Sequence, residues 1–338
     1  MRADEPIPEI YPMGMLDHWH PMLPSKDLRE KPVGVRLAER DIALFRGKGG
    51  EVGALDDICP HRRMRLSLGK VVGDKLQCKY HGWTFDCAGN GESPGTPKMH
   101  ACASAFEARE RYGYIWVKSK ESNPVFPEFN MDHWVNICAI EHRAKAPFEL
   151  ALDNFCEIEH TPTTHDMFGY QLDRMSEVTV RYEMTDDTVT VRNAGPGKKL
   201  GWFLNFFLGV KDDYLFHDVW TTHFSPVYTV FDHHWAHPTS GEESWVRWRL
   251  FIFFTPVDEK ESRITCFTYA KSKWPFGFYG GLRPFRGKMR RTMSREIKLD
   301  TEILAGLAVC DTRLEGMKLS RFDKALMLNR ERIDRIYR

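Results

Sequence analysis

Two short motifs in the first third of the chain each pair a cysteine with a histidine. Cys59-Pro-His61 is followed, sixteen residues later, by Cys78-Lys-Tyr-His81. Thiolates and imidazoles bind zinc and iron–sulfur clusters, so these four side chains form a candidate metal site. Zinc sites usually keep two cysteines together and two histidines together. One cysteine and one histidine on each loop instead favour a two-iron cluster, in which one iron binds both cysteines and the other binds both histidines.

A second group of potential ligands lies further along the chain. On a helix, Asp153, Glu157 and His160 would share one face, because their spacing follows the helical repeat. We expect this helix over Phe148–His160. Pro162 would end it, because proline disfavours helical backbone at the residue before it.

His160 and His165 become neighbours if the chain turns at that proline. Two histidines and one carboxylate that leave coordination positions open are typical of mononuclear iron(II) oxygenases. We predict a C-terminal helix over Arg291–Val309. We expect the carboxylate to be Asp300, because it interrupts an apolar stripe on that helix and a buried carboxylate needs a positive partner. Glu296, one turn earlier, is an alternative ligand. A salt bridge between Asp300 and an arginine of the same helix is the alternative without a metal.

Three further patterns carry less information. The Glu157-x-x-His unit also occurs in di-iron bundles, but these need a second copy and four helices, and the sequence offers neither. The cluster His233-His-Trp-Ala-His237 is expected to lie on the surface or to line a pocket. The aromatic run from Trp202 is expected to form core or a lid, and it could wall an apolar pocket.

The first motif pair resembles the signature of the Rieske ring-hydroxylating and demethylating oxygenases. The pattern CPHR, G, C-x-YHGW-x-F, G and P is present over residues 59–97. The resemblance implies a [2Fe-2S] cluster in which Cys59 and Cys78 hold the inner iron and His61 and His81 hold the outer iron. Neighbouring side chains would pack against these four ligands or hydrogen-bond to them.

The second group resembles the iron motif of the same family, Asn-x-x-Asp-x-x-His-x4-His. The resemblance implies that His160, His165 and Asp300 bind a mononuclear Fe(II) and that Asn154 is a polar neighbour of the metal. Glu157 stands where the family usually has aspartate. In the family this acid connects a cluster histidine of one subunit to an iron histidine of the next, and Glu157 would take that role.

The resemblance implies an α+β chain of two domains. Residues 1–120 would form an all-β Rieske domain, with cluster loops at 59–62 and 78–83. Residues 121–338 would form a catalytic domain of the helix-grip (SRPBCC-like) type, an antiparallel sheet with helices. The sequence agrees with this division at the polar stretch that begins at residue 119 and contains prolines. Short strand-like runs precede this stretch, and strands followed by long helices come after it.

The implied function is that of a terminal oxygenase. A ferredoxin, a flavin reductase or both would deliver electrons to the cluster, and these would pass through His81, Glu157 and His160. O2 would then hydroxylate or demethylate a small organic substrate, an aromatic one above all. NAD(P)H and flavin would belong to the partner, since the chain has no glycine-rich fingerprint for either. Contact between subunits implies a head-to-tail homotrimer. The length and C-terminal tail are most similar to vanillate and dicamba demethylases, although dioxygenation stays open.

Two alternatives remain. One is an N-dealkylating monooxygenase of the same family that acts on an amine or a quaternary ammonium compound. The other is a Rieske electron carrier whose second domain is not catalytic. The carrier would bind no iron beyond its cluster, so metal analysis separates it from an oxygenase.

The composition is that of an ordinary globular protein. The chain has 338 residues, of which 42% are hydrophobic and 28% charged, with a net charge of +1. This balance gives no support to nucleic-acid binding. No apolar run is long enough to cross a bilayer. The first residues do not resemble a signal peptide, so we expect a cytoplasmic protein.

Overall fold

The computed structural model describes residues 13–273 and 283–337. The chain divides into two compact units. The first runs to Pro127 and includes Thr255–Glu259, whereas the second comprises Glu128–Phe254 and Lys260–Ile336. The two units are described separately below.

The first unit is built from two antiparallel sheets. One has six strands in the order β1-β11-β10-β4-β3-β2, and the other has five in the order β5-β6-β7-β8-β9. The strands are β1 (His20–Pro24), β2 (Val33–Leu37), β3 (Arg40–Arg46), β4 (Val52–Asp56), β5 (Lys70–Val72), β6 (Lys75–Gln77), β7 (Thr84–Phe85), β8 (Asn90–Ser93), β9 (Thr96–Cys102), β10 (Ala105–Arg111) and β11 (Tyr114–Ser119). The all-β fold predicted for this part of the chain is therefore confirmed.

Both Cys-His motifs lie in loops of this unit, one after β4 and the other between β6 and β7. The loops rest on a buried apolar cluster that includes Phe45, Leu66 and Phe85. Cys59 and Cys78 belong to the same buried cluster. The strands thus hold both thiols inside the unit while the loops continue to its surface.

In its described residues, the second unit contains one antiparallel sheet of seven strands and five α-helices. The strand order is β12-β18-β17-β16-β15-β14-β13. The strands are β12 (Val135–Ala144), β13 (Thr179–Met184), β14 (Thr188–Gly195), β15 (Leu215–Phe224), β16 (Val227–Ala236), β17 (Val246–Asp258) and β18 (Glu261–Ser272). The helices are α1 (Phe148–Phe155), α2 (Thr161–Thr164), α3 (Trp202–Leu208), α4 (Arg286–Ala305) and α5 (Lys324–Tyr337). The predicted sheet-and-helix architecture is confirmed.

Helix α4 packs against β12 and α1. Its buried stripe follows the helical repeat and includes Met289, Met293, Ile297 and Leu304. Glu296 and Asp300 are buried on the same stripe. The apolar residues thus hold the helix in place, and two of its carboxylates face inward.

Two sequence expectations about helices are corrected here. The helix expected over Phe148–His160 ends at Phe155, and Pro162 begins the short helix α2 rather than ending a helix. Proline is well tolerated in the first turn of a helix, where its missing N–H is not needed. The C-terminal helix, expected to reach Val309, ends at Ala305, and Gly306 follows as its cap.

The aromatic run from Trp202 forms α3, and much of it lies on the surface. Trp202 is 81% exposed, and Phe203 and Phe206 are also exposed. Of the core or lid that the sequence predicted, a core segment is therefore wrong, because much of the helix is exposed, whereas a lid stays a prediction. Phe203 and Phe207 line an apolar pocket, as the sequence suggested.

Among the described residues, no helix is long and apolar enough to cross a membrane.

Candidate functional site

The two cysteines of the first unit are buried and the two histidines reach its surface. Cys59 and Cys78 are 1% and 2% exposed and form no disulfide. The rings of His61 and His81 lie next to each other, with centroids 4.5 Å apart. Burial raises the pKa of the Cys59 thiol to about 11, and backbone N–H groups of His61 and Arg62, which hydrogen-bond to the sulfur, oppose that effect. Two thiols below two imidazoles match the ligand set of a Rieske cluster.

The surroundings of these ligands restrict their orientation. The ring of His61 stacks on Trp83 at a centroid distance of 4.7 Å, and Tyr80 packs on His81 at 3.7 Å. Gly82 has a φ of +72°, a value that favours glycine and turns the chain back below the loop. The Cys78 carbonyl accepts a hydrogen bond from the backbone N–H of Gly82. The second loop is therefore fixed on both sides of its histidine.

The four ligands do not converge as the ligands of one zinc ion would. Within residues 13–273 and 283–337, only His160, His165 and Asp300 bring three metal-binding atoms within 4.8 Å of one another. Four ligands of a single tetrahedral zinc would all meet that distance, since zinc–ligand bonds are about 2.0–2.3 Å long. The cysteine pair and the histidine pair therefore suit two separate irons of one cluster.

In the second unit, three ligand atoms form a compact triangle. His160 Nε2 lies 3.0 Å from His165 Nε2. Asp300 Oδ1 lies 3.2 Å from His160 Nε2 and 3.4 Å from His165 Nε2. Donor atoms bound at about 2.1 Å on one face of an octahedral metal would be about 3.0 Å apart. The side chains predicted as ligands are thus close to the spacing that a facial triad needs.

Three neighbouring side chains orient the triad. Glu157 Oε1 accepts a hydrogen bond from His160 Nδ1, so the Nε2 lone pair is directed away from Glu157. Asn154 Nδ2 donates to Asp300 Oδ1 at 3.1 Å. Glu296 Oε2 lies 3.1 Å from His165 Nδ1, within ion-pairing distance. Glu296 therefore lies beside His165 on the side away from the triangle.

The electrostatics of the triangle favour a cation. Burial lowers the pKa of His160, but hydrogen bonds to Asp300 and Glu157 outweigh it and raise the pKa to about 10. Burial also lowers the pKa of His165, but hydrogen bonds to Asp300 and Glu296 outweigh it and raise the pKa to about 9. Burial raises the pKa of Asp300, but both histidines outweigh it and hold the value below its usual range. A buried site that attracts protons this strongly is also suited to a metal ion.

The structure separates Asp153 from the other acids. Asp153 forms a buried ion pair with Arg330 of α5, and Arg330 Nε lies 3.2 Å from Asp153 Oδ1. The shared helix face predicted for Asp153 and Glu157 does not exist, because the helix ends between them. The arginine pairing considered for Asp300 is also absent from the described contacts, since Arg295 pairs with Asp166 at 2.6 Å.

A cavity adjoins the triangle. Its apolar wall includes Phe155, Phe168, Phe231, Leu250 and Met293. Such walls exclude water and accept an apolar molecule next to the three ligand atoms.

Two polar residues of this cavity were not identified as a pair from the sequence. Asp218 of β15 and His233 of β16 are directly opposed in the sheet, and His233 Nε2 donates to Asp218 Oδ1 at 3.0 Å. Both are buried. His233 was expected on a surface or in a pocket, and it lines the pocket. The burial of Asp218 could have been inferred from the sequence. Side chains alternate along β15, so Asp218 lies on the same inward face as Phe216 and Trp220.

Similar proteins include two bacterial oxygenase subunits. The vanillate O-demethylase oxygenase subunit of a Pseudomonas species is 34% identical over 139 residues, which are 38% of this chain and 42% of that protein. The tert-butanol monooxygenase / tert-amyl alcohol desaturase oxygenase subunit of Aquincola tertiaricarbonis is 35% identical over 129 residues, which are 35% of this chain and 27% of that protein. The chain thus spans less than half the length of each of these relatives.

The fold is also that of a solved structure. The crystal structure of dicamba monooxygenase bound to 3,6-dichlorosalicylic acid matches with a TM-score of 0.79 and 21% sequence identity, over 95% of this chain and 97% of that one. Two family models match the sequence. The Rieske [2Fe-2S] domain covers residues 18–107, and the vanillate O-demethylase oxygenase C-terminal domain covers residues 144–338, more than half of the chain. The protein therefore belongs to the family of Rieske oxygenase subunits that carry a vanillate O-demethylase oxygenase C-terminal domain.

Proposed function

We propose that this protein is the terminal oxygenase of a multicomponent system that hydroxylates or oxidatively demethylates a small organic substrate. The observation that carries the proposal is the triangle of His160, His165 and Asp300, with sides of 3.0, 3.2 and 3.4 Å, beside an apolar cavity. These three residues would hold a mononuclear Fe(II), and Cys59, Cys78, His61 and His81 would hold the [2Fe-2S] cluster. Bound iron(II) supplies the activation of O2 for attack on a C–H bond.

The chain's own side chains prepare this site. Glu157 fixes the tautomer and the ring orientation of His160, and Asn154 holds the ligand oxygen of Asp300. The phenylalanines of the cavity exclude bulk water and place an apolar substrate next to the ligand atoms. The His160–Glu157 hydrogen bond also supports the proposed electron route, which reaches His160 through Glu157.

The remaining parts of the proposal concern partners and assembly. A ferredoxin or a flavin reductase would donate single electrons at the cluster, with NAD(P)H and flavin bound to that partner. Three copies would associate head to tail, so that His81 of one subunit approaches Glu157 of the next. The small exposed edge formed by His61 and the half-buried His81 supports an exchange of electrons at that surface. Light scattering of the purified protein tests the trimer.

The decisive test is metal content together with oxygen consumption. An oxygenase binds one mononuclear iron beyond the two irons of its cluster, and His160→Ala should remove that iron while the visible spectrum of the cluster is kept. His237→Ala, a histidine paired with Asp213 outside the site, is the matched control. If the unaltered, iron-replete protein holds only the two cluster irons, it is an electron carrier and the proposed function is wrong.

Product analysis then selects the reaction. With a surrogate reductase, oxygen uptake is measured beside the product mass. One oxygen atom gained indicates hydroxylation, a methyl group lost indicates demethylation, and two hydroxyl groups gained indicate dioxygenation. Loss of a methyl group from nitrogen would favour the N-dealkylating alternative.

A further inference from the structure

One residue that lines the cavity beside the triad, His233, has a buried polar atom without a partner. His233 Nδ1 is buried and has no hydrogen-bond partner among the described residues. The other ring nitrogen, Nε2, is bonded to Asp218 Oδ1 at 3.0 Å. Buried polar atoms are rarely left unpaired, because such an atom loses its hydration without compensation. His233 Nδ1 is therefore an atom to which a bound molecule could hydrogen-bond.

The Asp218 contact determines what that group must be. A carboxylate oxygen accepts hydrogen bonds, so in the neutral tautomer that matches this contact the ring proton of His233 lies on Nε2. Nδ1 then carries a lone pair and accepts. Phe168 and Phe231 pack around the ring, with centroids 4.7 and 5.7 Å from that of His233, so the contact is shielded from solvent. A donor, O–H or N–H, is the group that matches this atom.

The charges around the cavity also disfavour a negatively charged ligand. Four carboxylates line it, those of Glu157, Asp218, Glu296 and Asp300. A ferrous ion would supply two positive charges, and Lys198, whose ammonium donates to the His165 carbonyl near Glu296, supplies a third, so the four carboxylates still outnumber the positive charges. Among the described residues, no lysine or arginine lines the cavity.

One neutral donor nearby does not change this balance. Trp248 lies opposite His233 across the sheet, and its Nε1–H has no partner among the described contacts. It lines the neighbouring apolar pocket together with Met167 and Met289. A single indole N–H can bond to an acceptor, but it does not neutralise an anion. Recognition of a buried carboxylate normally uses arginine or another charged donor.

We propose that the substrate is an apolar compound without negative charge whose O–H or N–H group donates to His233 Nδ1, and that aromatic carboxylates are excluded. The inference rests on the proposed function in one respect, namely that the cavity beside the triad is the substrate site. Asp218 and His233 are then specificity-determining residues. The shared chemistry is a hydrogen-bond donor on an apolar body, which a phenol, an alcohol or an amine can supply.

The test is a set of matched ligands titrated into the iron-replete protein by calorimetry, without O2 or reductant. The ligands are guaiacol (neutral, O–H donor), ortho-methoxybenzylamine (cationic, N–H donor), veratrole (no donor) and ortho-methoxybenzoate (anion). We expect a donor-bearing ligand to bind about tenfold more tightly than veratrole, as one hydrogen bond to a buried acceptor provides, and the anion to bind most weakly. Guaiacol against the amine distinguishes a hydroxyl from an amino substrate.

Two variants connect the preference to these residues. In His233→Phe the difference between guaiacol and veratrole should disappear. His234→Phe is the matched control, because the next residue of the strand lies on the opposite face, where His234 pairs with Asp232. Asp218→Asn keeps an acceptor for Nε2 and removes one negative charge, so binding of the anion should improve. This variant decides the question if His233→Phe does not fold.

Three results would overturn the inference: tightest binding by ortho-methoxybenzoate, no binding by either donor-bearing ligand, or an unchanged guaiacol-to-veratrole ratio in folded His233→Phe. The titrations need no turnover. A protein that lacks the mononuclear iron or consumes no O2 would therefore refute the proposed function in a separate measurement.

Discussion

Asn154 of α1 donates a hydrogen bond to Asp300 of α4, and the accepting oxygen is the one that faces both histidines. Two helices distant in sequence thus meet at one ligand atom. Because this bond fixes the carboxylate, Asn154→Ala should lower the affinity for Fe(II) about tenfold, as loss of such outer partners generally does. Competition with a ferrous chelator under anaerobic conditions measures it. Asn205→Ala on α3 is the control, and equal iron retention by both variants would remove Asn154 from this role.

Glu157 and Glu159 provide a matched pair of acids for testing the electron route. Glu157 bonds to His160 Nδ1, whereas Glu159 accepts a hydrogen bond from Ser320. Glu157→Gln should keep both metal centres, because glutamine can still accept from His160, but should slow reoxidation of the reduced cluster by about tenfold or more. Stopped-flow absorbance of the cluster with substrate and O2 measures the rate. Glu159→Gln should react as the unaltered protein does. Equal rates in the two variants would mean that electrons bypass Glu157.

The Asp153–Arg330 ion pair is expected to stabilise the second unit. Both side chains are largely buried, so Arg330→Met leaves an uncompensated carboxylate. We expect a loss of about 3–5 kcal/mol and a melting temperature lower by about 10 °C. Scanning calorimetry measures this, and Asp153→Asn combined with Arg330→Met should regain most of the loss.

Arg335→Met is the control for that experiment, because Arg335 pairs at 3.5 Å with Asp186 on the surface. Exposed pairs of this kind contribute little to stability. A melting temperature of Arg330→Met no lower than that of Arg335→Met would contradict the stabilising role.

His217 should make the protein sensitive to acid. Burial and, secondly, the neighbouring His234 lower the pKa of His217 to about 4 from 6.5. The unfolded chain therefore takes up a proton below pH 6.5 that the folded protein refuses until about pH 4, and stability falls as the pH falls through that window. From about pH 7 to about pH 5 the folded-to-unfolded ratio should lose about tenfold through this residue, a value reduced because the ring is partly exposed.

Melting temperatures of His217→Gln and the unaltered protein at both pH values check this prediction. The variant should show the smaller decrease on acidification. His237→Gln, altered at a histidine of the same region that pairs with Asp213, is the control. An equal decrease in His217→Gln and the unaltered protein would show that the proton is taken up elsewhere.

The family and the folds of both domains could be predicted from the sequence, and the three residues proposed as iron ligands lie together as their motif suggested. The Cys-His motifs are local, and their spacing alone indicates the cluster. Alternating polar and apolar residues predicted strands in the second unit. In β15 every second residue from Phe216 to Phe224 is buried, as such alternation predicts. His160 and His165 are near each other in the chain, so a turn between them brings them together.

Other features depended on contacts that the sequence does not display. Helical spacing placed Asp153, Glu157 and His160 on one face, but the Glu157 carboxylate instead accepts from the backbone N–H of His160 at 3.3 Å, and the chain leaves the helix before it. A side chain that hydrogen-bonds to nearby backbone N–H groups competes with the helix for those groups. The Asp218–His233 pair depends on the register between β15 and β16, and the sequence of either strand alone does not reveal that register.

The position of Glu296 and Asp300 one turn apart on α4 has a consequence for sequence divergence. A single residue inserted or deleted between them would rotate one of the two carboxylates about the helix axis by about 100° and carry it out of the buried stripe. Homologous chains that keep this chemistry are therefore expected to vary here by exchange of residues and not by changes in length. An alignment gap inside the segment 296–300 would mark a branch in which the two carboxylates no longer share the buried stripe.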